Sequence, residues 1–99
     1  MLSTEYNNKL AMEISGNPEP FFAKLLPEVT IERSGDTNRL QPCPKCGHRD
    51  CCNLTEGSPL INCFHPGCGF KGNTVDALLM IPGVTEEQIA NVAAEVLWH

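Results

Sequence analysis

All six cysteines of this 99-residue chain fall between Cys43 and Cys68. Four of them form two short clusters, Cys43-Pro-Lys-Cys46-Gly-His and Cys63-Phe-His-Pro-Gly-Cys68-Gly. Thiols crowded into a quarter of a chain leave two readings, a disulfide framework or a metal site. The opening residues, Met1-Leu-Ser-Thr-Glu-Tyr-Asn-Asn-Lys9, lack the apolar core of a secretory signal. No stretch approaches the roughly eighteen apolar residues needed to cross a bilayer. A cytoplasmic location without a membrane partner is therefore expected, and in a reducing compartment clustered thiols point to metal.

The spacing points to zinc, one ion per chain. Zn²⁺ takes four soft ligands in a tetrahedron, and two cysteines separated by two residues around a tight turn present both sulfurs to one ion. Pro44 fixes φ inside the first turn and Gly47 supplies the unusual backbone after it. The second cluster is expanded: four residues separate Cys63 from Cys68, whereas His65 and Cys68 have the usual two. The ligand set is then Cys43, Cys46, Cys63 and Cys68, or the same set with His65 in place of Cys63. Four cysteines are preferred, because both clusters then end in Cys-Gly and Cys63 sits at a strand end. Pro66-Gly67 can absorb the extra residues. His65 becomes a solvated loop residue or a donor to a ligand. His48 follows Cys46 too closely to add an easy fifth ligand and is read as exposed or near phosphate. Cys51 and Cys52 are adjacent and are expected on opposite strand faces, one inside as a small apolar residue and one at the surface; the competing reading makes one of them an exchangeable metal ligand or a redox sensor.

Around this segment the pattern predicts an α+β fold: a small zinc-ribbon antiparallel sheet with flanking N- and C-terminal helices. A helix is expected over residues 4–15, capped by Ser3 or Thr4, with Tyr6, Leu10 and Ile14 on one face. A second runs from Pro20 to Leu26. Val29-Thr-Ile-Glu-Arg33 reads as a strand, Ser34–Asn38 as a turn and Arg39-Leu-Gln41 as a second strand. Residues 51–55 and 60–64 pair as a hairpin across Glu56-Gly-Ser-Pro59. Asn73 caps a helix running to about Met80, and Thr85-Glu-Glu-Gln88 is a capping box for the last helix. Ile89, Val92, Ala93, Val96 and Leu97 form its apolar stripe. These elements give a helical segment (1–32), a ribbon (33–72) and C-terminal helices (73–99), packed as one domain.

Arg39-Leu-Gln-Pro-Cys-Pro-Lys-Cys-Gly-His-Arg-Asp50, followed by Ile61-Asn-Cys-Phe-His-Pro-Gly-Cys-Gly-Phe-Lys-Gly-Asn-Thr-Val-Asp-Ala-Leu78, resembles the zinc-binding domain of bacterial and phage DNA primases and primase-helicases. That domain has a knuckle, a short hairpin, a second knuckle, then Gly-x-x-Gly-Asp and a helix. Here the last element is Gly69-Phe-Lys-Gly72-Asn73, with Asn where Asp is usual. The expanded second knuckle and a first hairpin strand without aromatics also differ. The resemblance implies a module of a replication protein that binds single-stranded DNA template, with a primase catalytic domain or helicase as partner.

The charge pattern bears on that expectation. Residues 33–72 carry Arg33, Arg39, Lys45, Arg49 and Lys71 against Asp36, Asp50 and Glu56, a surplus of two cations in a chain of net charge −5. Arg39, Lys45, Arg49 and Lys71 are the candidate phosphate contacts, with Phe64 or Phe70 as a stacking face. The acidic helices should repel DNA, so the binding is expected to be weak. The competing expectation is a protein-interaction module that docks on a polymerase, helicase or relaxase through its acidic ends and the apolar stripe of the last helix. An iron-thiolate redox site of rubredoxin type is disfavoured, because those proteins keep two-residue spacing at both knuckles. The acids are scattered and form no cluster able to hold catalytic Mg²⁺, so the chain is not expected to be an enzyme by itself.

Overall fold

The structure, a computed structural model, describes residues 4–98. Two helices open the chain, α1 (Thr4–Gly16) and α2 (Pro18–Leu25), and they are almost continuous. Leu10 and Ile14 of α1 are fully buried and Tyr6 is half-buried, as the 3.6-residue periodicity requires. Ser3 lies outside the described residues. The second helix starts at Pro18 rather than Pro20, because a proline at the first helical position has no N–H that would be left unpaired.

Five strands follow in a simple antiparallel meander: β1 (Thr30–Ser34), β2 (Thr37–Gln41), β3 (Cys52–Thr55), β4 (Leu60–Cys63) and β5 (Lys71–Asn73). The register is fixed by pairs such as Ile31 with Leu40, Leu40 with Cys52, Cys52 with Cys63, and Ile61 with Gly72. β5 was not expected. Lys-Gly-Asn has no strand character of its own, and pairing of Asn62 with Lys71 recruits it. The sheet thus begins and ends outside the 33–72 ribbon segment, since β1 starts at Thr30 and β5 ends at Asn73.

Helix α3 (Thr74–Leu78) starts where the Asn73 side chain accepts the Val75 N–H at 2.9 Å. It is shorter than expected, and Met80 and Ile81 continue as tight turns closing on Ala77 and Leu78. Helix α4 (Glu86–Val96) carries the complete capping box. Gln88 N–H donates to Thr85 Oγ1 at 3.2 Å and Thr85 N–H to Gln88 Oε1 at 3.0 Å.

Period-two alternation gives the sheet one apolar face, and all the helices serve to cover it. Leu40, Leu54, Ile61 and Phe70 meet Leu10, Ile14, Phe21, Phe22, Val75, Leu78 and Ile89 in one continuous core. Each fully buried side chain of this size is worth about 1.5–3 kcal/mol. The stripe of α4 is spent here: Ile89 and Ala93 are buried, and Val92, Val96 and Leu97 pack partly buried against the same core. It is therefore a structural face turned inward, not the free docking surface that the sequence suggested. Trp98 packs edge-on to Tyr6, with ring centroids 5.6 Å apart, which ties the end of the chain to α1.

Candidate metal centre and the open sheet face

Two tight turns carry the sulfurs to one point. In the first, Gly47 N–H closes on Cys43 O and Cys43 N–H on His48 O, both at 2.9 Å. Gly47 sits at φ 76°, in the left-handed region, so glycine is needed there. In the second, Cys68 N–H closes on His65 O at 3.1 Å, and Gly67 at φ 82° absorbs the two additional residues. The ends of β3 and β4 bring the second turn opposite the first, because Cys63 is paired with Cys52.

The sulfurs of Cys43, Cys46, Cys63 and Cys68 all lie within 4.8 Å of one another. Cys43 Sγ and Cys68 Sγ are 3.8 Å apart, as are Cys46 Sγ and Cys63 Sγ. These two pairs are opposite edges of a tetrahedron. A zinc–sulfur bond of about 2.3 Å implies a tetrahedral edge of about 3.8 Å, so the donor set fits a four-coordinate thiophilic ion in both number and spacing.

The electrostatics fit as well. Burial pushes the Cys43 and Cys68 thiols up, and it pushes Cys63 up to about 12. Opposing this, each sulfur accepts backbone N–H groups two or three residues further on: Cys46 and Lys45 for Cys43, His48 for Cys46, His65 for Cys63 and Phe70 for Cys68. Burial also raises Cys46, but its His48 N–H, the His48 side chain and the neighbouring sulfurs outweigh that and bring it down to about 6. Four contacting sulfurs cannot all ionise unaided, whereas a dication at their centre holds all four as thiolates. The Lys45 side chain reaches across to the second turn, its Nζ 3.6 Å from where a side chain at Gly69 would begin.

Cys63, not His65, belongs to the cluster; the role of His65 is to aim its backbone N–H at Cys63. The His65 ring instead stacks on His48, with centroids 3.7 Å apart and planes 20° off parallel. His48 and His65 also lie within 4.8 Å of Cys46. Parallel rings send their in-plane lone pairs side by side rather than toward one ion, so this trio is the poorer site. Neither Cys51 nor Cys52 is at the surface. Cys52 is fully buried beside its cross-strand partner Leu40, and Cys51 lies against the cluster, its Sγ 3.5 Å from Cys63 Sγ. Alternation misplaces Cys51 because it precedes β3 and follows Asp50, whose φ of 62° turns the chain.

The candidate nucleic-acid residues divide into two groups. Phe70 is fully buried in the core and offers no stacking face. Phe64 remains, 64% exposed. Lys45 and Arg49 are exposed on the first knuckle. Arg39 and Lys71 lie on the sheet face opposite the core. There the register places Glu32, Arg39, Asn53, Asn62 and Lys71 in one row across all five strands. Arg39 is half-exposed and sits 3.7 Å from Asp50, which Gln41 also holds through its Nε2 at 2.6 Å. The Arg39 Nε and Asn53 Oδ1 atoms are buried without a hydrogen-bond partner. The sequence reading omitted Asn53 and Asn62, although alternation in Cys-Asn-Leu-Thr and Leu-Ile-Asn-Cys marks both as facing away from the core.

Among the described residues no helix is long and apolar enough to cross a membrane. Compared with protein-family models, with curated proteins and with solved structures, the chain matches none.

Proposed function

We propose that this chain is a zinc-ribbon module of a replication protein and that it binds single-stranded DNA on its open sheet face, as primase zinc-binding domains do. The zinc is structural. Four thiolates fill its coordination sphere and leave no open position for substrate or water. In this reading the module acts by binding and not by catalysis.

The observation that carries the DNA reading is the polar row on the uncovered face. Neighbouring strands are about 4.8 Å apart, so Arg39 and Lys71 stand about 14 Å from one another with two amide side chains between them. Cations at the ends suit phosphates of an extended strand, and the amides Asn53 and Asn62 suit base edges. The resemblance of the knuckles and of Gly69-Phe-Lys-Gly72-Asn73 to primases supports the same assignment. The docking alternative is weaker, because the face it relied on is packed inward.

The test is titration of the zinc-loaded chain with single-stranded DNA at several salt concentrations. Replacing Arg39 and Lys71 together by Gln is expected to weaken binding to all sequences alike. It should flatten the salt slope by about 1.4 units, at about 0.7 per phosphate contact on a single strand. Circular dichroism and zinc content of the double variant should match the parent. Absence of any chemical-shift change at low salt in a folded, zinc-loaded sample would overturn the DNA reading.

A further inference from the structure

We propose that Cys51 is a fifth metal ligand held in reserve, able to replace Cys63, so that the centre holds its thiophilic ion through Cys43, Cys46 and Cys68 with either Cys63 or Cys51. This rests on the four-cysteine metal reading and adds a ligand to it. Cys51 Sγ lies 3.5 Å from Cys63 Sγ, closer than the 3.8 Å that separates the paired sulfurs of the tetrahedron. Cys46 is among the groups that act on its thiol, which places Cys51 on the Cys46–Cys63 side of the cluster.

The backbone makes the exchange short. Phe64 N–H donates to Cys51 O at 2.7 Å, so Cys51 and Cys63 hang from neighbouring rungs at the same end of the β3–β4 hairpin. What holds the Cys51 thiol away from the ion is one S–H bond to His48 O at 3.4 Å. A thiol is a weak donor, and that carbonyl already accepts Cys43 N–H at 2.9 Å, so little is lost when it turns. Cys52 is placed differently. It also neighbours Cys43, but it is fixed within the ladder between Leu40 and Cys63 and is fully buried. The exchange conserves charge: Cys51 releases its thiol proton to solvent as it binds the ion, and the departing Cys63 thiolate takes one up.

Cobalt substitution in the full chain tests this, because the intensity of the sulfur-to-cobalt charge-transfer band rises with the number of bound thiolates. The unaltered chain should show the four-thiolate spectrum. Cys63→Ala is expected to keep that intensity, and so is Cys51→Ala. The double variant Cys51→Ala/Cys63→Ala should lose a quarter of it or bind no cobalt. Cys68→Ala serves as reference, since Cys68 lies on the opposite edge, paired with Cys43. It should behave like the double variant. If Cys63→Ala instead matches Cys68→Ala, whether both fall by a quarter or both fail to take up cobalt, the proposal is overturned. Full intensity in the double variant overturns it as well, by assigning the replacement to another residue. An unaltered chain that binds no cobalt tetrahedrally would refute the metal centre itself, and this proposal with it.

Discussion

Removing the metal should unfold the whole chain and not the ribbon alone. A structural zinc contributes about 10 kcal/mol or more of folding free energy. A domain of this size is stable by about 5–15 kcal/mol in total. The loss is therefore of the order of everything that holds the fold. It cannot stay local, because β4, which ends at Cys63, and its hairpin partner β3 also supply the core: Ile61 lies on β4 and Leu54 on β3, in one cluster with Phe21, Phe22 and Leu78. β3 and β4 are four residues each, too short to persist as an isolated hairpin. Trp98 makes the extent of unfolding visible. It contacts Tyr6 and lies 5.8 Å from Lys9 Nζ, well away in sequence from the knuckles, so its emission reports α1 and the chain end. Titration with a strong chelator should shift Trp98 emission and abolish the far-ultraviolet circular dichroism with one common midpoint. Cys43→Ser, at a residue only 1% exposed, should give the same end state without chelator. A metal-free chain with native dichroism and native Trp98 emission would refute the structural role of the metal. Loss of dichroism with unchanged Trp98 emission would refute the shared core.

Two other substitutions separate neighbouring roles. His65→Ala should leave the cobalt spectrum unchanged, because that residue serves Cys63 through its backbone N–H, which alanine retains; a changed charge-transfer band would restore His65 as a ligand. Thr85→Ala removes one half of the α4 capping box and should cost about 1 kcal/mol in denaturant unfolding with metal content unaltered, whereas no measurable loss would mean that packing of Ile89 and Ala93 alone sets the helix start.

The sequence by itself determined the local elements and the donor set. Turn chemistry is a property of a few adjacent residues, so Cys-Pro-x-Cys-Gly announced a cysteine knuckle able to hold a metal and Asn73 and Thr85 announced helix starts without any knowledge of the fold. The α+β class followed from the 3.6-residue periodicity at the ends of the chain and from the β-branched segment and hairpin turn in the middle. Tertiary structure decided what depends on residues distant in sequence. Lys71-Gly-Asn73 becomes a strand only because β4 offers an edge to pair with. The register then aligns Glu32, Arg39, Asn53, Asn62 and Lys71, which no local window contains. An apolar stripe reads the same whether it faces a partner or its own core, and only the packing of α4 settled that it faces inward. Cys51 is the sharpest case. Strand alternation sent one of the two adjacent cysteines to the surface, but the chain turns at Asp50 just before β3 begins, and that turn carries the thiol to the metal cluster.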